Sequence, residues 1–391
     1  MWGSGTDCCL KQTAKKGTRI CHVQDIEGSA GCKTLTGLRV GTLGSNLVRG
    51  IMDNLFFLLC RGNLYTEWRI TMYKYEGYSD PIQRPRYTGV PTFLRAPYEE
   101  ALDNVDIGLV GVPFDGGVTN RPGARHGPRE IRNQSSLMRR MHQSSGISPH
   151  DLARVADVGD AWVQSPFHLE SSLDEIAAFF TRLNEASVTP LSAGGDHSIT
   201  LPILRAITKT GPVGMVHFDA HCDTGDDYLG SKFHHGAPFR RAVEEGLLDP
   251  KRTIQIGIRG SVNEPDIWKF SHDSGMRVIY MEEFYELGVK RVIDEARRVV
   301  GIGPTYISFD VDGLDPVYAP GTGTPEVGGF SSMEAQFMIR GLKGLNLIGG
   351  DVVEVAPPFD PSGNTALVGA TMMFEILCVL ADAWDQHQRE A

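Results

Sequence analysis

The chain has 391 residues, 41% hydrophobic and 22% charged, which is enough apolar material for a sizeable core and unlike a disordered or fibrous protein. Its net charge of −10 argues against a protein held on nucleic acid by phosphate neutralisation. No run approaches the roughly 18 consecutive apolar residues of a membrane span, and the longest candidate, 51–60, contains Asp53.

Residues 1–71 obey different compositional rules from the remainder. They hold Cys8, Cys9, Cys21, Cys32 and Cys60 of the seven cysteines, and a net charge of +4 that leaves −14 for 72–391. No CxxC pair occurs, so a zinc ribbon or thioredoxin-type site has no support. The segment lacks a signal-peptide layout, and Asp7, Asp25 and Glu27 interrupt the basic composition of a mitochondrial transit peptide. No helical or strand period runs through it. The expectation is that Met72 is the natural start, that 1–71 is upstream sequence or a poorly ordered extension, and that 72–391 is one cytoplasmic domain.

From about residue 105, short apolar runs alternate with amphipathic stretches. Strand-like runs occupy 106–114, 188–195, 213–220, 253–258, 277–281, 305–312 and 347–356. Helix-like segments lie at 127–141, 173–186 and 289–300, and a long apolar helix closes the chain at about 364–384. This alternation implies βαβ units, and the almost continuously apolar strands imply burial on both faces. The fold class is α/β, a three-layer α/β/α sandwich around a mainly parallel sheet. No repeat and no linker divides 72–391.

Three strands end in polar clusters, at the edge where ligands of such sheets collect. Asp196 and His197 close the first; Asp219, His221 and Asp223 follow the second; Asp310 and Asp312 end the third. In extended chain, residues i and i+2 point the same way, so each pair aims at one place. Buried carboxylates in such number repel unless cations neutralise them. Two divalent ions balance Asp219, Asp223, Asp310 and Asp312, while His197 and His221 add neutral nitrogen ligands. A set rich in oxygen and free of thiolate suits Mn²⁺, with Ni²⁺ as the alternative. Two ions about 3.5–4 Å apart share a water and make it acidic near neutral pH.

GGDHS (194–198), DAHCD (219–223) and SFDVDGLDP (308–316), in this order, resemble the three signature blocks of the ureohydrolases, the arginase and agmatinase family. The resemblance covers about 85–382. TNRPGARHGPREIR (119–132), HGAPFRRAVEEGLLDP (235–250) and SGNTALVGA (362–370) bring it closer to the agmatinase branch. It implies an eight-stranded parallel sheet, assembly as a homotrimer or homohexamer, and hydrolysis of a guanidino group to urea and an amine. It also implies one ion on His197, Asp219, Asp223 and Asp310, and a second on Asp219, His221, Asp310 and Asp312. Glu354 matches the family's guanidinium-binding glutamate, His235 its proton shuttle, and Asp223 orients the attacking water. Agmatine is the favoured substrate; guanidinobutyrate, guanidinopropionate and a modified guanide are the alternatives.

Several neighbours take plainer readings. Asp196 and His217 orient ligands, Asp315 is a turn residue, Cys222 is a buried filler, and His234 is a weaker candidate than His235. His126 stands where relatives more often have Phe, near the expected substrate entrance. Arg121 and Arg125 offer cations for a substrate carboxylate. A non-catalytic partner subunit would keep the fold but is expected to lose ligands, and zinc deacetylases of the same architecture are expected to lack GGDHS.

Overall fold

The computed structural model describes residues 10–15, 18–23, 78, 84–208, 210–262 and 266–390. The chain divides into two compact units, Met1–Thr71 and Met72–Ala391. In the first, β1 (Leu10–Lys15) and β2 (Thr18–Val23) pair as an antiparallel hairpin. No element is expected there from sequence, although Thr13, Thr18, Ile20 and Val23 are strand-favouring residues. The expectations for the rest of 1–71, and for Met72 as a start, fall outside the described residues.

The second unit is built on eight parallel strands in the order β4–β3–β5–β10–β9–β6–β7–β8. In chain order these are β3 (Ile107–Val112), β4 (Val155–Asp160), β5 (Thr189–Gly194), β6 (Val213–Phe218), β7 (Leu248–Ile258), β8 (Arg277–Tyr280), β9 (Thr305–Asp310) and β10 (Leu347–Val353). Alternation along each strand feeds two buried clusters. Ile107 and Leu109 join one, Val110 and Val112 the other; Phe218 and Met215 divide in the same way, as do Ile307 and Tyr306. Helices Leu169–Glu185, Thr200–Ile207 and Pro238–Glu244 complete one cluster. Met281–Val300, Ser332–Gly341 and Asn364–Glu390 complete the other. The result is an α/β/α sandwich.

Leu169–Glu185 shows why these segments are helical. Leu173, Ile176, Phe180 and Leu183 recur at helical spacing and are buried, each contributing about 1.5–3 kcal/mol through burial. Asn364–Glu390 is long and apolar enough to cross a membrane, yet 78% of its apolar window is buried inside the protein. The helix expected at 289–300 begins earlier, at Met281, and Gly288 at φ 72° breaks its regularity. The one expected at 127–141 stops at Ser135.

Strand β4 is absent from the sequence-based expectation because Asp157, Gly159 and Asp160 break its apolar run. The structure shows what makes those acids tolerable. Arg132 donates to Asp157 through Nε at 2.8 Å and Nη2 at 3.0 Å, and to Asp160 at 2.6 Å. The bidentate pair ties the edge strand to helix Gly127–Ser135.

Strands β5 and β6 are consecutive in the chain, yet β10 and β9 lie between them. Connections therefore leave this part of the sheet in different directions, the condition that opens a crevice at the carboxyl ends of its strands.

Candidate metal centre and active site

The expected clusters lie at the ends of β5, β6 and β9, three of the four central strands, and Glu354 follows the fourth, β10. After β5 the backbone turns at Gly195, where a Cβ would collide with the Phe114 carbonyl. Asp196 then caps the turn His197–Ile199, accepting from the Ser198 amide at 2.9 Å and the Gly117 amide at 2.7 Å. Those bonds direct its carboxylate away from the cluster and hold His197 in place.

His197 is the centre of the first group. Its Nδ1 lies 2.9 Å from Asp223, 3.2 Å from Asp219 and 3.2 Å from Asp310. Among the described residues this buried nitrogen has no hydrogen-bond partner, although three carboxylates converge on it. The opposite nitrogen, Nε2, contacts Ser308 Oγ at 2.8 Å, and Ser308 donates to Asp351 at 2.8 Å. Donation from Nε2–H leaves a lone pair on Nδ1, the state a metal ligand needs. Thr200 and Tyr306 also donate to Asp351, at 2.8 and 2.9 Å.

In the second group, His221 Nδ1 lies 3.2 Å from Asp312 and 3.4 Å from Asp219. His221 is the more open ligand, with a third of its side chain exposed, whereas Asp219, Asp310 and Asp312 are buried. His217 stands behind Asp219. Gln255 donates to its Nδ1 at 3.1 Å, so Nε2–H donates to Asp219 at 2.7 Å. Asp310 accepts the Asp312 amide at 2.8 Å, fixing the turn that brings both carboxylates to one side.

The electrostatics call for positive charge. Burial pushes Asp310 well above the carboxylate range, and Asp312 and Asp219 push it further. Asp312 is held at about 6 by burial and by Asp219. Burial also works against charge on Asp219, but the facing imidazoles outweigh it and hold that group well below its ordinary value. For His197, burial opposes protonation while the three carboxylates favour it and prevail. The convergent oxygens and the unpartnered Nδ1 fit divalent cations. His197, His217 and Asp219 lie close enough to hold an ion, as do Asp219, His221 and Asp312.

Glu354 and His235 adjoin the cluster. Glu354 Oε1 accepts from the His197 amide at 2.9 Å and faces His235 Nδ1 at 2.9 Å. Its Oε2 is buried and has no partner among the described residues, and a Cβ at Gly323 would sit 3.6 Å from it, so the glycine leaves that side open. The Thr119 amide donates to His235 Nε2 at 3.1 Å, and its hydroxyl lies 2.7 Å away, which places the ring proton on Nδ1 toward Glu354. Burial lowers the affinity of His235 for a second proton, but Glu354, Asp196 and Asp223 more than offset it and raise the pKa to about 9. Asp223 and Glu354 are non-glycine residues with left-handed backbone, at φ 50° and 64°. Strain of that kind collects at functional sites.

The remaining candidates lie apart from this group. His234 contacts the Asp226 carbonyl at 3.0 Å, and Asp226 pairs with Arg240 and Arg241 at 2.9 Å each. Cys222 is buried against Ile258 and Val278. Asp315 accepts the Val317 and Gly328 amides at 3.0 and 2.7 Å, and His126 is exposed. Arg125 pairs with Asp115, while Arg121 donates to the Thr322 and Gly323 carbonyls at 3.0 Å each. Sequence reading overlooks Ser308, Asp351, Gln255 and Thr119. An Asp inside the apolar run LIGGDVV and a Gln inside TIQIGI are signals that could have found two of them.

Comparison with known proteins places this arrangement. The model of the arginase family matches residues 105–379. A guanidinopropionase of Pseudomonas aeruginosa is 61% identical over 305 residues, covering 78% of this chain and 96% of that protein. A mitochondrial agmatinase of Gallus gallus is 52% identical over 300 residues, 76% of this chain and 87% of its own. Among solved structures, proclavaminate amidino hydrolase from Streptomyces clavuligerus superposes with a TM-score of 0.74 at 39% identity, covering 77% of this chain and 100% of its own. With its eight parallel strands and the match spanning all of them, the chain belongs to the arginase family.

Proposed function

We propose that this protein hydrolyses a guanidino compound to urea and an amine. The observation that carries the reading is the buried, unpartnered Oε2 of Glu354 beside the two carboxylate–imidazole groups. A planar guanidinium with paired N–H donors is the natural partner of such a carboxylate oxygen. His197, Asp219, Asp223 and Asp310 would hold one divalent ion, and Asp219, His221, Asp310 and Asp312 the other, with Mn²⁺ preferred and Ni²⁺ second. When bound, the ion pair supplies a nucleophilic water at neutral pH and offsets charge in the transition state.

The chain's own residues supply the rest. Glu354 fixes the guanidinium through Oε2 while its other oxygen is occupied by His197 and His235. Asp223 accepts a hydrogen bond from the attacking water and orients it. Water adds to the guanidinium carbon, the bond from that carbon to the alkyl nitrogen breaks, and both water protons end on the departing nitrogen, which leaves as an ammonium beside neutral urea, the first proton by way of Asp223 and the second by way of His235. His235 carries that proton at Nε2, exchanging its Thr119 contact for the transfer while Nδ1 stays on Glu354.

Sequence alone favours agmatine. The 61% identity to a guanidinopropionase brings guanidinopropionate to the head of the substrates to be tried, with agmatine next. We also take the protein to act in the cytoplasm as a homotrimer or homohexamer, which light scattering tests. Urea release by metal-loaded protein from guanidinopropionate, guanidinobutyrate, agmatine and arginine is the deciding assay. Urea from one of these, absent in an Asp310→Ala control, is the expected result; none from any would overturn the reading.

Asp351 acts on the centre through Ser308, so its loss should register as metal affinity. Asp351→Asn removes the charge that keeps Ser308 donating away from His197. Affinity for Mn²⁺ is expected to fall about 10–100-fold, read by equilibrium dialysis with unchanged circular dichroism. Unaltered affinity would mean that Ser308 alone orients the imidazole.

A further inference from the structure

Arg259 directly follows β7 and is only 8% exposed. Its fork is spent on backbone carbonyls. Nη1 donates to Gly257 at 3.0 Å and Gly313 at 3.1 Å, and Nη2 donates to Asp312 and Glu326 at 2.7 Å each and to Leu314 at 3.2 Å. The carbonyls of 312–314 belong to the turn after β9 that carries Asp312. The Arg259 amide reaches a second segment. It donates to the Ala220 carbonyl at 3.0 Å, and the Ala220 amide donates to Asp312 Oδ1 at 3.1 Å. Ala220 stands between Asp219 and His221, so one residue holds both halves of the His221–Asp312 group, whose nearest ligand atoms lie 3.2 Å apart.

Packing around this fork leaves no slack. A Cβ at Gly329 would meet Nη2 at 2.6 Å, and one at Gly313 would meet the Asp219 amide at 3.0 Å. Glycine at both positions lets the guanidinium and the turn close onto the end of β6. The arrangement is costly, because burial works against the charge of Arg259 and its Nε is buried with no partner among the described residues. What favours the charge is the set of carboxylates around it, Asp312 first and Asp219 next.

A cation bonded to the backbone that carries a ligand carboxylate fixes that ligand before an ion arrives. Asp312 belongs to one of the two proposed ligand sets, and Asp310, which belongs to both, is held by β9 itself. We infer that Arg259 is a positioning residue of the metal centre. Through the carbonyls of 312–314 it sets the affinity for the ion on Asp219, His221, Asp310 and Asp312, and it leaves the ion on His197 nearly untouched. The inference rests on the two-ion reading above.

The test titrates Mn²⁺ into full-length, chelator-stripped protein by equilibrium dialysis, with an EPR spectrum at each point, for wild type and Arg259→Lys. Lysine keeps the charge and loses the fork, so the comparison isolates positioning from electrostatics. Wild type is expected to take two ions per chain. In Arg259→Lys the first should bind as in wild type and the second about 10–100-fold more weakly. At metal levels that give wild type the spectrum of a coupled manganese pair, the variant should then show isolated Mn²⁺. Hydrogen exchange adds an arm that needs no variant. The amides of Asp312 and Leu314, bonded to Asp310 Oδ1 and the Val311 carbonyl, should exchange slowly in metal-free wild type, and faster in Arg259→Lys. Unchanged affinity for the second ion would overturn the proposal, as would equal weakening of both ions in a variant folded by circular dichroism. Rapid exchange of the turn in metal-free wild type would overturn it as well, because the ion and not Arg259 would then build the turn. Wild type that never takes a second ion would instead sink the two-ion reading, and this inference with it.

Discussion

Asp310→Asn will abolish urea release and, in metal-free protein, raise stability. The carboxylate is 2% exposed and belongs to both proposed ligand sets. Losing it forfeits about 4 kcal/mol of transition-state stabilisation, or about 10³ in rate. Bound metal measured by mass spectrometry should fall in parallel. The stability change has the opposite sign without metal. There burial, with Asp312 and Asp219 opposite, disfavours the charge of Asp310 so strongly that the folded protein takes up a proton the unfolded chain gives up at neutral pH. Asparagine keeps the oxygen that caps the Asp312 amide and is neutral without that proton. After exhaustive chelation the variant should melt about 2–5 °C above wild type. Saturating Mn²⁺ should reverse the order, because only wild type gains strongly from binding. A variant that is less stable by the same amount in both states would show that Asp310 serves the fold alone.

The residues legible in the sequence were those whose chemistry conflicts with their local pattern. An apolar run that ends in Asp219, His221 and Asp223 has no solvation reading, and the same holds for Asp310 and Asp312 after TYISF. The seven expected strands fall where the structure has them, because continuous β-branched and aromatic runs leave few alternatives. Strand β4 escaped notice because its acids are compensated by Arg132, 25 residues before Asp157 and on a different element. The network behind His197 was hidden for a related reason. Ser308 and Asp351 stand abreast in the register of β9 and β10, and the sequence separates them by 43 residues. A hydroxyl inside a strand carries no message until its cross-strand neighbour is known. Thr119 is more remote still, 116 residues from the imidazole it touches. Periodicity reports which way a side chain faces, and strand order decides what it meets.

Glu354→Gln is expected to lower kcat/KM by about 10²–10³-fold while leaving metal content unchanged. Oε1 receives two donors, from the His197 amide and from His235 Nδ1, both at 2.9 Å. A glutamine in this position satisfies them only by placing its amide oxygen there. Its NH₂ group must then occupy the position of Oε2 and point two donors at a guanidinium that has only donors to offer. The loss therefore combines a missing charge-assisted hydrogen bond with a new repulsion, and KM should carry much of it because the pairing exists before reaction. A second signature separates this role from a purely structural one. His235 is raised to about 9 by its carboxylate neighbours, Glu354 foremost, against a burial effect that lowers it. Removing that charge lets burial count for more, so the His235 pKa must fall. The limb of the pH–rate profile that reports His235 should move toward lower pH in the variant. In Glu354→Asp, which restores the charge on a shorter arm, it should return part of the way. Loss of bound metal in Glu354→Gln would instead make Glu354 a support of the His197 turn, and an unmoved pH profile would detach it from His235.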